Sequence, residues 1–229
     1  MIDLRDEDLI TNVIEWDIAN WSRCLVFWRS FLTDCKNKVA LEIGSGRGGI
    51  SLWLALNGMR VICSDIIDPR NTALSLHNKY NAEKINYETI DATNIPYRDY
   101  FDVIVFKSVL GGIGRDGNIA AQSKAIKEMH KSLKKGGMLL FCENLQGSAL
   151  HRFFRTRYQP WGDSWRYITI SEMKKYLADF SEVKVKTVGF LGCFGRNEAQ
   201  RRMLARIDNM ITLLVPENWR YVIIGIAVK

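Results

Sequence analysis

The sequence predicts an α/β protein with a doubly wound sheet and helices on both faces, on three observations. Short apolar runs alternate with longer amphipathic segments along the chain. Most of those runs are continuously apolar, as the strands of a parallel sheet covered on both faces must be. The first of them, Val39-Ala-Leu-Glu-Ile43, runs into a glycine cluster that opens a helix. With 229 residues, 47% of them hydrophobic, the chain can bury one full core and leaves no room for a second domain of that size.

Strands are expected near 39–43, 61–65, 85–90, 102–106, 138–142, 183–188 and 221–228. Helices are expected over 49–57, ending at Gly58, over 69–80, over 118–134, ending at Gly136-Gly137, and over 172–179. Before the last of these, Thr169 and Glu172 have capping-box spacing. Upstream, residues 11–32 read as one amphipathic helix with Ile14, Ile18, Trp21, Leu25 and Trp28 on a single stripe. After residue 179 the alternation gives way to a strand, a helical insert at about 196–215 and a final strand. The basic cluster Arg196, Arg201, Arg202 and Arg206 in that insert reads as one exposed helix face.

The segment Glu42-Ile-Gly44-Ser45-Gly46-Arg-Gly48-Gly49 carries the functional signal. Its glycines allow a tight turn and close approach of a ligand, and the helix that follows aims free N–H groups back at that ligand. The same residues satisfy the G-x-G-x-x-G dinucleotide pattern, so a nicotinamide oxidoreductase is one reading. Glu42 argues against it, because a carboxylate at the strand tip repels a pyrophosphate. A cationic ammonium and sulfonium would be attracted instead. The E-x-G-x-G-x-G pattern resembles that of the class I S-adenosylmethionine-dependent methyltransferases.

That resemblance implies a mostly parallel seven-stranded sheet whose last strand is antiparallel, with S-adenosyl-L-methionine as cofactor. It divides the single domain, 1–229, into an N-terminal helical lid (1–35), a cofactor-binding half (36–143) and an acceptor-side half (144–229). Asp65 ends the second strand 21 residues after Gly44, where an acid that accepts from both ribose hydroxyls is expected. Ile66 follows it. Asp91 and Ala92 close the third strand, and by resemblance they meet the adenine amine and ring. Lys107 reaches the edge from the fourth strand, and Trp21 from the helix above it. Trp16 and Asn20 are the candidate lid contacts to the acceptor.

The fourth strand leads into Lys107-Ser108, and no Asn-Pro-Pro-Tyr-like motif of amino-methylating nucleic-acid enzymes is present there. Neither the acid pattern of the divalent-metal catechol enzymes nor the cysteine motif of the cytosine-C5 enzymes occurs. The expectation is therefore metal-independent transfer to oxygen or nitrogen, and less readily to carbon. Gly111, Gly112 and Gly114 suggest a mobile loop beside the acceptor.

The acceptor side is expected in residues 143–167, where Arg152, Arg155, Arg157 and Arg166 alternate with Phe153, Phe154, Trp161, Trp165 and Tyr167. Arginine forks bind anions and flat rings suit sugars, so Arg152, Arg155, Trp161 and Trp165 are the candidate acceptor contacts for a small anionic or glycosylated metabolite. A hydroxyl acceptor needs a general base. His151 is the candidate, with Glu143 eight residues earlier as a possible orienting partner.

Five cysteines form no C-x-x-C pair, and the three histidines have no metal-ligand spacing, so neither disulfides nor a metal site is expected. The net charge of +7 admits an RNA-directed methyltransferase as a further reading, though no RNA-binding module is recognisable. The N-terminus lacks the apolar core of a signal peptide and no run suffices for a membrane span, so a cytoplasmic protein is expected.

Overall fold

The computed structural model describes residues 6–158 and 164–229. Seven strands form one sheet: β1 (Val39–Ile43), β2 (Arg60–Asp65), β3 (Ile85–Thr89), β4 (Phe101–Lys107), β5 (Leu133–Asn144), β6 (Glu182–Val188) and β7 (Val222–Val228). Their order is β3-β2-β1-β4-β5-β7-β6. The first five pair in parallel, and β7 runs antiparallel between β5 and β6. From β1 the chain winds outward through β2 and β3, then returns to the other side at β4. That reversal opens a crevice beyond the C-terminal ends of β1 and β4, where ligands of open α/β sheets bind.

Two apolar layers sandwich the sheet. On one face α1 (Glu7–Ile14), α3 (Arg23–Arg29), α4 (Gly49–Leu56) and α5 (Arg70–Lys79) bury Val13, Ile14, Leu25, Trp28, Trp53 and Leu76 against Ala40, Val61, Val103 and Val105. On the other, α7 (Ile119–Ser132) and α9 (Ile170–Tyr176) bury Ile126, Met129 and Met173 against Leu41, Ile104, Phe106 and Phe141. Alternate residues of one strand thus serve opposite layers, which is why the strands read as continuously apolar. The Thr169–Glu172 capping box forms as the sequence predicts.

The segment 11–32 departs from expectation. Instead of one helix it forms the end of α1, then α2 (Ile18–Trp21) and α3, broken where Glu15 (φ 76°) and Asp17 (φ 43°) turn left-handed. The break has long-range causes. Asp17 is buried, and its carboxylate accepts from the Tyr221 hydroxyl and from Asn20 Nδ2 (3.2 Å). Glu198, at the start of α10 (Glu198–Ile211), accepts from Asp17 N (2.8 Å) and Ile18 N (3.0 Å), satisfying the first free N–H groups of α2. Burial pushes the Asp17 carboxyl up to about 6, against the opposing Tyr221 and Asn20 bonds.

The glycines after β4 do not form the expected loose loop. Leu110–Ile113 is a helical turn, α6, and a Cβ on Gly111 would lie 1.7 Å from Trp165 Nε1. On Gly114 it would lie 2.3 Å from Gln122 Nε2. These positions lack side chains because others pack against them.

Asp208 on α10 fastens the turn after β6, accepting from Phe190 N (3.0 Å), Leu191 N (2.7 Å) and Gly192 N (3.1 Å). Asp208→Ala leaves three donors without this acceptor and is expected to cost about 3 kcal/mol. Asp208→Asn, which keeps one acceptor oxygen, is expected to cost less. Denaturant unfolding of the two variants beside the parent measures both.

Candidate active site

The crevice is lined first by the turn between β1 and α4. Gly44, Gly46 and Gly48 all have positive φ (65°, 53° and 73°), a region from which L side chains are largely excluded. Their surroundings differ. A Cβ on Gly44 would meet Val109 Cγ2 at 2.6 Å, and one on Gly48 would meet His77 Nε2 at 2.6 Å, whereas nothing lies within 4 Å of the Cβ direction of Gly46. Gly46 is therefore the position at which the turn presents bare backbone to open space. The space at Gly44, expected from the sequence to receive the ligand, is filled by Val109.

Asp65 holds that turn. Its carboxylate accepts from Gly46 N (2.9 Å) and Ile66 N (2.7 Å), while Thr72 Oγ1 donates to the Gly46 carbonyl (2.5 Å). Each carboxylate oxygen retains further lone-pair capacity. Ile66 and Ile67, 63% and 71% exposed, stand beside Asp65 as an apolar shelf at the end of β2. At the end of β3, Asp91 Oδ1 accepts from Thr93 N (2.7 Å) and Thr93 Oγ1 (2.9 Å), and Ala92 is buried. Ser45 is buried within the turn.

Glu42 does not project into solvent. It is buried, and Oε2 accepts from Ser51 N (2.8 Å) and Ser51 Oγ (2.5 Å), which satisfies a free N–H in the first turn of α4. Burial raises its carboxyl to about 7, opposed by the Ser51 bonds and by the charge of Lys107. Lys107, at the end of β4, donates to the Ile14 carbonyl (3.1 Å) and sets its ammonium 3.5 Å from the Trp16 ring centroid. Trp21 packs on Trp16 with ring centroids 5.4 Å apart. Desolvation lowers the Lys107 pKa, and the charges of Glu15 and Glu42 oppose the shift. The amine thus sits over an indole face, where cation–π attraction favours its protonated form.

The acceptor side differs most from expectation. His151 is buried, with Ser148 N (3.2 Å) donating to Nδ1 and Ser148 Oγ 2.8 Å from it, so Nε2 carries the proton and donates to the Phe190 carbonyl (2.8 Å). Burial drives its pKa down to about 4. Both ring nitrogens are engaged by the protein, and the ring stacks on Phe194 (5.0 Å). This geometry does not provide the base expected from the sequence. Glu143 does not orient it either. That carboxylate accepts from Val109 N (2.7 Å), Leu110 N (2.7 Å) and Asn144 N (2.8 Å), and burial raises it to about 7.

Arg155 donates to the carbonyls of Leu145 (2.6 Å) and Gln146 (3.3 Å), with its guanidinium 3.9 Å from the Tyr167 ring centroid. It braces the chain after β5 and is not a free anion fork. Arg152 is exposed. Trp165 packs on Gly111, and its buried Nε1–H has no partner among the described residues. Trp161 lies outside the described residues. Asn20 is fully buried, with Nδ2 donating to Tyr221 Oη (2.8 Å) as well as to Asp17, and with Oδ1 unpartnered among the described residues. The sequence reading missed Thr72, Asp17, Tyr221 and Glu198. Thr72 is placed by the packing of α5 against the turn, and the others join segments roughly 180–200 residues apart, so no local signal marks any of them.

A glycine turn opening at the reversal point of a seven-stranded sheet, with acids at the neighbouring strand ends, defines a class of protein. Residues 41–141 match the family model described as a methyltransferase domain. Among curated proteins it is 28% identical over 130 residues to the ubiquinone/menaquinone biosynthesis C-methyltransferase UbiE of Pectobacterium atrosepticum, covering 51% of this chain and 48% of that protein. The chain thus spans about half the length of the curated relatives it matches. Among solved structures it resembles Haemonchus contortus phosphoethanolamine N-methyltransferase 2 in complex with S-adenosyl-L-methionine (TM-score 0.66, 17% identity, 100% of this chain and 60% of that one). It also resembles the YcgJ protein of Bacillus subtilis (TM-score 0.62, 15% identity, 91% and 98%). At these identities the structural likeness is one of fold.

The buried acids give stability a pH dependence of definite sign. Glu42 and Glu143 have folded-state pKa values raised from 4.5 to about 7. Their protonated forms are favoured in the fold, so the stability they confer is complete below about 4.5 and is lost as pH rises through about 7. Glu42→Gln keeps an acceptor for Ser51 and is expected to gain on the parent as pH rises across that interval. Thermal unfolding at a series of pH values measures the difference.

Proposed function

We propose that this chain transfers the methyl group of S-adenosyl-L-methionine to oxygen or nitrogen of a small acceptor, without a metal. The observation that carries the reading is the open backbone at Gly46, braced by Asp65 and flanked by the exposed Ile66 and Ile67. A nucleoside fits such a cradle: the carboxylate accepts from ribose hydroxyls and the isoleucines cover one face of a base. In this reading Asp91 and Ala92, at the next strand end, meet the base edge. When bound, the cofactor supplies a methyl group already activated on a sulfonium.

What the protein adds is alignment and exclusion of water. Trp16, Trp21 and Ile14 cover the end of β4, with Lys107 and the buried Glu42 beneath them. The segment before β1, residues 1–35, acts as a lid, held at Asp17 by Tyr221 and Glu198. The acceptor enters beside α8 (Ala149–Tyr158), where Arg152 offers an exposed guanidinium to an anionic or glycosylated molecule. The domain-wide roles of residues 36–143 for cofactor and 144–229 for acceptor follow this division. The relatives act, by their names, on carbon in one case and on nitrogen in another. A neutral amine requires no general base, which agrees with the engaged nitrogens of His151.

Calorimetric titration with S-adenosyl-L-methionine, with and without chelator, tests the cofactor reading. Asp65→Ala is expected to weaken binding by about 1.5–3 kcal/mol, and Gly46→Ala to weaken binding more than it lowers the melting temperature. Parent-like affinity in both variants would remove the cradle from the mechanism, and loss of parental binding on chelation would remove metal independence.

A second outcome concerns His151. With its pKa depressed to about 4 and both nitrogens occupied, His151→Gln is expected to lower the melting temperature while leaving the shape of the kcat against pH profile unchanged. Loss of an ionisation between about pH 5 and 8 in the variant would restore the imidazole as a base.

A further inference from the structure

The outer face of α10 carries a row of exposed apolar side chains flanked by arginines. Its inner side packs Ala205 and Asp208 against the turn after β6. Its outer side carries Met203 (56% exposed), Ile207 (40%) and Met210 (84%), and the helix runs out into Leu213 (98%) and Leu214 (82%). Arg202 and Arg206 flank this ridge and Arg196 precedes it, all three exposed. The described charged neighbours are few: Glu7 lies 3.6 Å from Arg202, Glu198 is taken by Asp17, Ile18 and Arg201, and Glu217 is exposed beyond the ridge.

From this arrangement we infer that α10 and the leucine tip after it dock the protein on an anionic lipid surface. The ridge ends in two almost fully exposed leucines, which can enter an acyl boundary. The arginines lie beside the apolar residues, where lipid phosphates would meet them, as in helices that lie in a membrane interface. No helix of the described residues is long and apolar enough to cross a bilayer, so contact of this kind is peripheral. A second amphipathic helix stands at the same edge of the sheet. α8 leaves the C-terminal end of β5 with Leu150, Phe153 and Tyr158 exposed beside Arg152 and Arg157, and Phe154 joins it to Phe194 just before α10. The crevice opens at that edge too, so docking there would set its mouth near the lipid headgroups.

Sedimentation of the intact chain with vesicles tests the inference by binding alone, independently of methyl transfer. Vesicles of phosphatidylcholine mixed with an equal part of phosphatidylglycerol are expected to bind the protein, with a partition that falls as salt rises, and phosphatidylcholine vesicles to bind it weakly. The double variant Arg202→Glu/Arg206→Glu is expected to lose about thirtyfold or more in partition to the anionic vesicles. Leu213→Glu/Leu214→Glu is expected to lose binding as well, and both are expected to keep the parental melting temperature because the side chains are exposed. Absence of binding to the anionic vesicles, or binding that neither variant weakens, would overturn the proposal. So would a concentration-dependent dimer that the leucine variant converts to monomer, which would assign the ridge to a second copy of the chain.

Discussion

Along one edge of this sheet, chain segments begin with free backbone N–H groups, and buried or half-buried carboxylates answer them. Glu42 serves α4 through Ser51, and Glu143 serves the start of α6 through Val109 and Leu110. Glu198 serves α2, and Asp208 serves the turn after β6. A backbone donor left unpaired away from water costs as much as a lost hydrogen bond. The crevice is therefore shaped by side chains that bind the protein to itself.

That arrangement leaves a small set of groups free for chemistry. Gly46 keeps its side towards open space because Asp65 and Thr72 grip its backbone from elsewhere. Lys107 is held by the Ile14 carbonyl and the Trp16 ring, where desolvation lowers its pKa and Glu15 and Glu42 oppose the shift. His151 shows the opposite result. It stands near the crevice in sequence order, yet its imidazole is consumed in joining Ser148 to Phe190.

The N-terminal helices are held by contacts that their own sequence does not encode. Their stripe of apolar residues specifies which side faces the core, and Trp28 adds a bond from Nε1 to the Gly225 carbonyl (3.1 Å). Where the stripe must bend is set by Tyr221 and Glu198, far along the chain. The same two residues join these helices to the start of α10 and to the residue before β7, so a late part of the chain governs the position of an early one.

The sequence by itself determined where the strands lie, the glycine turn, the acids at the strand ends and the capping box at Thr169, because each rests on periodicity or on spacing within a few residues. Seven strands lie where apolar runs predict them, most within a residue or two at each end. The long strand β5 is the exception, because Leu133 pairs with Phe101 ahead of Gly136-Gly137 and draws the strand back into the predicted helix. Tertiary structure alone decided which polar side chains remain free. Glu143, His151, Arg155 and Asn20 all have the chemistry of a site, and all are engaged by partners that no local pattern announces. The physical reason is that a buried polar group must find a partner wherever the fold brings one, and in this fold the partners of Asn20 and Asp17 lie about 200 residues away.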